Sequence, residues 1–270
     1  MANTSLMNKK KGLVMGVAND RSIAWAIAKT LANSGAKVAL TYQGDALKKR
    51  VEPLAKEIKS SMVIECNVEN ENHISNAFKE IKKKWDSIDF VVHAIAFSNK
   101  DELKGKYLNT TKENFKKTMD ISCYSFTSVA REAEKLMSNG GSLLTLSYFG
   151  SEKYMPHYNI MGIAKSALEA SIKYLAKDLG SQKIRVNALS PGPIKTLAAS
   201  AIGDFNYILK WNENNSPLKR NITVDDISGS AIYLLSDLSS GVTGEIHHVD
   251  SGYNIIGMKD TNSPDIFDEK

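Results

Sequence analysis

Two tyrosines and a lysine stand close together in the chain: Tyr148, Tyr158 and Lys165. Tyr158 and Lys165 are separated by almost two turns of an α-helix, so a helix through both would present them on one face, roughly 10 Å apart along its axis. That span suits an ammonium that touches a ribose while a phenol reaches a reacting carbonyl. A phenol titrates near ~10 in water, and an ammonium close to it favours the ionised form. Among 10 tyrosines and 35 Lys and Arg residues such a spacing arises easily. Its place, directly after the fifth strand-like run, is what singles it out.

A second constellation lies near the start. Leu13-Val14-Met15 opens into Gly16-Val17-Ala18-Asn19-Asp20-Arg21-Ser22-Ile23-Ala24, and a helical pattern follows at once. A glycine in such a turn lets backbone approach a phosphate, and the helix start supplies N–H donors and a positive dipole end. Only Gly16 remains of the G-x-G-x-x-G pattern. Ser22 reads equally as the helix N-cap or as a hydroxyl offered to a phosphate. The second strand-like run ends in Thr41-Tyr42-Gln43, with neither an acid for a ribose diol nor an arginine for a 2′-phosphate. Gln43 suits the neutral diol, which favours NADH; Lys48, Lys49 and Arg50 further on keep NADPH as the minority option. The third and fourth runs end in Cys66-Asn67-Val68 and His93-Ala94-Ile95-Ala96, at the edge where ligands bind in such sheets. Asn67 faces an adenine or serves as a turn residue.

The elements that must position these groups alternate from end to end. Strands are expected at Gly12–Met15, Lys37–Thr41, Met62–Cys66, Asp89–Ala94, Gly141–Ser147, Ile184–Leu189 and Glu245–Val249. Helices are expected over about Ser22–Ser34, Asp45–Lys59, Glu71–Trp85, Lys112–Met137, His157–Leu179 and Asp225–Leu235. The strands are nearly unbroken apolar runs, as when helices cover both sheet faces. This predicts an α/β fold: a single Rossmann-type, doubly wound parallel sheet of about seven strands. Its domain would run from 10 to 258, with a flexible tail at 1–9 and another at 259–270. The segment Leu197–Leu209 reads as a core-packing helix or, after the Gly-Pro turn, as part of a mobile lid spanning about 195–215.

Composition narrows the class. The chain has 270 residues, 42% hydrophobic and 24% charged, which suits a folded globular protein. No apolar run approaches the ~20 residues of a membrane helix, and Met1–Lys11 has no secretory pattern, so no membrane association and a cytoplasmic location are expected. Two cysteines, Cys66 and Cys123, are expected to stay reduced. Five histidines without H-x3-H, and no C-x2-C, argue against a metal. The net charge of +5 includes Lys9–Lys11 and Lys82–Lys84, which read as a solvated tail and helix face rather than a nucleic-acid site. An excess of positive charge also favours an anionic substrate carrier.

The layout resembles the short-chain dehydrogenase/reductase superfamily, whose usual signature is Tyr-x3-Lys. No tyrosine here has lysine four positions on. The Tyr-x6-Lys version, with Leu-Thr-Leu-Ser-Tyr-x-Gly before it and Arg185-Val186-Asn187-Ala188 and Pro191-Gly192-Pro193-Ile194-Lys195-Thr196-Leu197-Ala198-Ala199 after it, resembles the bacterial enoyl-acyl-carrier-protein reductases. The likeness runs from about Lys10 to Met258 and includes Gly16-x5-Ser22-Ile23-Ala24, Thr41-Tyr42-Gln43 and Val249-Asp250-x-Gly252. Asn67 departs from the usual aspartate, and Ala96 from a common glycine.

This resemblance implies hydride transfer from NADH to the β-carbon of a trans-2-enoyl thioester, closing the fatty-acid elongation cycle. It implies a catalytic set of Tyr158, as donor to the enolate oxygen, Lys165 on the ribose hydroxyls, and Tyr148 beside the acyl chain. Cofactor contacts are implied for Gly16, Ser22, Ile23, Gln43, Asn67, Val68, Ile95, Lys165, Ile194, Lys195, Thr196, Leu197 and Ala198. Ser98 joins Tyr148 and Tyr158 on the substrate side. Acyl carrier protein is the implied partner and a homotetramer the implied assembly. Two rivals stand beside this reading: a 3-oxoacyl reductase, with Ser147 as catalytic serine, and a non-catalytic nucleotide-binding domain.

Overall fold

Seven short runs rich in Val, Ile and Leu pair side by side, all parallel, in the order β3-β2-β1-β4-β5-β6-β7. In the computed structural model, which describes residues 6–196 and 203–264, these are β1 (Lys11–Met15), β2 (Lys37–Tyr42), β3 (Val63–Glu65), β4 (Phe90–His93), β5 (Gly141–Leu146), β6 (Ile184–Pro191) and β7 (Ile246–Val249). Chain order reverses between β1 and β4, which pair in register Gly12 to Phe90 through Met15 to His93. That reversal opens a crevice outside the carboxyl ends of the strands, where such sheets bind ligands. The expected doubly wound α/β sheet is present.

Among the described residues eight α-helices connect the strands: α1 (Ile23–Asn33), α2 (Gly44–Glu57), α3 (Glu71–Lys84), α4 (Lys112–Met119), α5 (Ser125–Glu134), α6 (Asn159–Leu179), α7 (Phe205–Asn215) and α8 (Val224–Leu235). Alternate strand residues feed two cores. Leu13, Val91, Leu143 and Val186 pack with α3, α5 and α6 on one face. Val14, Val92, Leu144 and Leu189 pack with α1 and α8 on the other. Burial on both faces is why the strands read as continuous apolar runs rather than alternating ones.

Local periodicity misplaces three features. The single helix expected over Lys112–Met137 is broken by a π-turn at Asp120–Tyr124 between α4 and α5. There Ser122 Oγ accepts from Phe97 N at 2.9 Å and donates to Phe97 O at 3.1 Å, which ties the turn to the loop after β4. The second is Tyr158, which precedes α6 rather than lying within it. Third, the helix sought over Leu197–Leu209 is seen among the described residues from Phe205, and it runs past Leu209 to Asn215. Residues 1–5, 197–202 and 265–270 lie outside the described part. At the amino end Met7 is fully buried and donates its N–H to Ser34 O at 3.0 Å, so packed chain begins before Lys10.

Candidate active site

The turn after β1 is built on one glycine. Gly16 has φ +98°, and a Cβ there would stand 2.0 Å from Ala94 O on the neighbouring strand. Both the dihedral and the contact demand glycine. Gly16→Ala is therefore expected to cost about 2–4 kcal/mol of folding stability, read as a lower urea midpoint. An unchanged midpoint would contradict the packing described.

Ser22 takes the N-cap position of α1 but makes no side-chain bond into the helix. Its Oγ accepts instead from the N–H groups of Ala18 and Asn19, both at 3.0 Å. The hydroxyl thus braces the turn. With Ser22 facing backwards, the first N–H groups of α1 are left to an incoming anion.

From this turn a cleft of about 530 Å³ follows the strand ends, lined by Gly16, Ser22, Ile23, Gln43, Asn67, Val68, Ile95, Lys165 and Thr196, with Ala94 and Ala96 among its walls. Nine of the expected contact residues therefore meet around one cavity. Asn67 makes the local bond of a turn residue, its Oδ1 accepting from Glu69 N at 3.1 Å; this uses one of two lone pairs on that oxygen. Ile194 and Lys195 line an adjoining concavity between the segment after β6, α7 and residues 260–264. Leu197 and Ala198 fall outside the described residues. Ser98 is not on the cleft wall; it accepts from Asn114 Nδ2 at 3.1 Å.

Of the three side chains singled out by spacing, Lys165 lines this cleft and Tyr148 and Tyr158 do not. Lys165, 5% exposed, donates from Nζ to Leu146 O at 2.7 Å. Burial lowers its pKa from 10.5 to about 8, opposed by Cys123 and Glu169. Tyr158, 8% exposed, meets the Tyr148 ring edge-on, with centroids 4.8 Å apart. Burial drives both phenols far above their ordinary value, and for Tyr158 the neighbouring Tyr148 and Glu169 push the same way. The expected ionising effect of an adjacent ammonium is thus overturned. Desolvation disfavours the phenolate, and the lysine head group is turned to a backbone carbonyl. Burial therefore favours a neutral Tyr158 hydroxyl.

The backbone holds Tyr158 in an unusual way. His157 and Asn159, on either side, have φ +56° and +31°, a region costly for side-chain-bearing residues and sustained by the surroundings. Asn159 Nδ2 donates to Glu102 O at 3.0 Å. His157 Nε2 lies 2.9 Å from Asp204 Oδ2, at the start of α7. Leu103, Ile160 and Met161 pack around the ring. Ser147 Oγ donates to Glu169 Oε1, so its hydroxyl is committed away from any substrate carbonyl. Spacing alone did not reveal Glu169, Asn159 or Ser122; an acid one turn after Lys165 was the one available signal.

His93, fully buried at the end of β4, lies 2.8 Å from Ser125 Oγ, and burial holds its pKa down at about 3. Cys66 and Cys123 are not joined. Among the described residues no group of His, Cys, Asp and Glu is arranged to hold a metal, and no helix is long and apolar enough to cross a membrane.

A parallel sheet reversing at β1/β4, a glycine turn at the reversal and a buried lysine on the wall of the same cleft define a dinucleotide-linked oxidoreductase of the Rossmann class. The model of the family described as enoyl-(acyl carrier protein) reductase matches residues 16–254. The chain belongs to that family. It is 64% identical, over 98% of both chains, to the protein of Rhizobium meliloti (strain 1021) named enoyl-[acyl-carrier-protein] reductase [NADH] 1. It superposes with TM-score 0.93 on the Anaplasma phagocytophilum reductase solved with NAD, at 56% identity, covering 97% of this chain and 98% of that one. The Bacillus cereus enoyl-acyl carrier protein reductase, solved with NADP+ and an indole naphthyridinone, gives TM-score 0.92 at 49% identity, covering 94% of this chain and 100% of that one.

Proposed function

We propose that the protein reduces the carbon–carbon double bond of trans-2-enoyl thioesters borne by acyl carrier protein, with NADH as reductant, as the closing step of fatty-acid elongation. The observation that carries this reading is the neutral, buried Tyr158 hydroxyl held edge-on to Tyr148, beside a cleft that contains Lys165.

The residues around the cleft fit a dinucleotide. Gly16 would permit close backbone approach, the N-terminus of α1 would meet the pyrophosphate, and Gln43 would take the ribose diol without repelling or requiring charge. The bound cofactor supplies a hydride for the β-carbon. Lys165 holds the ribose hydroxyls and so sets the nicotinamide against the alkene. As the β-carbon gains the hydride, negative charge develops on the thioester oxygen. Tyr158 donates a hydrogen bond there, in a site where burial makes that bond strong, and the enolate then takes a proton from solvent at its α-carbon, which completes the saturated thioester. Tyr148 flanks the acyl chain, next to a small cavity bounded by Met155, Ile208 and Trp211. Thr196, Ile194 and Lys195 border the nicotinamide end; the lid expected over about 195–215 lies partly outside the described residues, and its described part, α7, is joined to the Tyr158 loop by the His157–Asp204 contact. Ser98 takes the substrate side from the loop after β4, where it is held by Asn114 of α4.

The deciding experiment follows NADH oxidation with crotonyl and acetoacetyl thioesters of acyl carrier protein. Turnover of the enoyl compound alone is expected. Activity confined to the keto compound would replace this reading with the 3-oxoacyl reductase one, and cofactor binding without turnover of either would leave a nucleotide-binding domain. Running the same assay with NADPH tests the minority cofactor. A homotetramer in the cytoplasm is the assembly and location that accompany this function.

A further inference from the structure

Glu169 lies one helical turn after Lys165 on α6, half-buried beneath the loop that leaves β5. Two hydroxyls converge on a single oxygen of its carboxylate: Ser147 Oγ and, at 2.5 Å, Ser151 Oγ both donate to Oε1. These serines bracket Tyr148, Phe149 and Gly150, so three residues are drawn into a loop closed on one carboxylate. Ser166 Oγ adds a bond to Ser151 O at 2.5 Å. Hydrogen bonds to an ionised acceptor are about twice as strong as neutral ones, and here both span from the loop to the helix.

The same loop is the surface on which the Tyr158 ring rests. A Cβ at Gly150 would stand 2.4 Å from Tyr158 Cδ1, and a Cβ at Gly162 would stand 2.7 Å from Gly150 O. Ring, loop and helix are therefore in contact with no spare room. Moving the loop by a fraction of an ångström moves both tyrosines. The titratable groups that face Lys165 are His93 on β4, Cys123 in the π-turn and Glu169 on α6. Burial disfavours the charged forms of His93 and Cys123, and Glu169 is the acidic side chain of the set. Its field favours a protonated lysine and an un-ionised phenol together, the two states that ribose binding and hydrogen-bond donation need.

We propose that Glu169 is a positioning residue of this site: its carboxylate clamps the Ser147–Ser151 loop onto α6, which places Tyr148 and Tyr158, and serves as the counter-charge for Lys165. The inference rests on the reading of Tyr158 and Lys165 as the substrate and cofactor groups. It predicts that geometry and charge at the two reactive side chains are set by one residue that touches neither substrate nor cofactor.

Glu169→Gln keeps the shape and an acceptor oxygen but removes the charge. It is expected to lower kcat about tenfold with little change in KM for the enoyl thioester. NADH titrations across pH should show the alkaline loss of affinity moved down by about half a unit or more. Paired Ser147→Ala and Ser151→Ala substitutions should lower kcat yet leave that alkaline limb in place, because they loosen the clamp and keep the charge. A Glu169→Gln protein with wild-type kcat and superimposable NADH titrations overturns the proposal. A fall in kcat that merely follows a lower melting temperature, with the alkaline limb unmoved, overturns it too. Full turnover in Tyr158→Phe would instead remove the underlying site reading, an outcome distinct from either.

Discussion

Replacing Tyr158 with phenylalanine is expected to lower kcat about 10²- to 10³-fold while NADH still binds, since one hydrogen-bond donor to a developing oxyanion contributes on that order. The substitution is clean in this structure. The ring keeps its edge contact with Tyr148, its packing with Leu103, Ile160 and Met161 and its fit against Gly150. Only the hydroxyl is removed, and Tyr158 lines no part of the cofactor cleft. Since burial keeps the phenol protonated, its role in the native protein is to donate, and phenylalanine cannot. Single-turnover rates and NADH fluorescence titration, measured side by side, check both halves. An unchanged rate excludes Tyr158 from the chemistry. A rate loss matched by an equal loss of NADH affinity assigns it to cofactor binding instead.

Lys165→Met is expected to weaken NADH binding about 10- to 100-fold, the range for lost hydrogen bonds to a charged donor, and to lower turnover as well. The sign of the pH dependence follows from burial. Lys165 titrates at about 8 rather than 10.5, so in the native protein the ammonium is present below about 8 and NADH affinity falls as pH rises through that value. The methionine variant should show no such fall. Stability should move the other way. Below about 8 both folded and unfolded chains hold the proton, and the folded chain bears the full cost of a buried ammonium. Between about 8 and 10.5 the unfolded chain binds more protons, so this residue's contribution improves as pH rises. A methionine of similar length removes that burial cost, and at pH 7 the variant is expected to melt at or above the wild-type temperature. A normal NADH titration in Lys165→Met would contradict the assignment, as would a pH profile identical to that of the native protein.

Much of this architecture is legible locally, and particular residues show why. Val14, Leu13 and Val91, Val92 lie in unbroken apolar runs because helices cover both sheet faces, and that pattern points to a parallel sheet without any knowledge of contacts. Gly16, at the end of the first run and the start of a helix, marks the phosphate turn for the same reason. Tyr158 and Lys165 stand out by type and spacing. The chain by itself thus determined the layered parallel sheet and the edge that bears the cleft, and it singled out Tyr158 and Lys165 as candidates.

Tertiary contacts decided what those side chains are. Helical spacing carried the pattern back through Tyr158, but His157 and Asn159 are held at positive φ by surroundings that include Glu102 and Asp204, so the tyrosine leaves the helix and enters the core. An ammonium seven residues along suggested an ionised phenol; burial made it a neutral donor and turned the lysine to Leu146 O. Ser22 read as a cap or a phosphate ligand and braces a turn; Ser147, the catalytic serine of the rival reading, is bound to Glu169. Periodicity records which residues a chain must hide, because hydrophobic burial follows composition along the strand or helix. Protonation state and hydroxyl direction depend on which atoms arrive from distant positions and how much water they displace, and only the assembled fold specifies that.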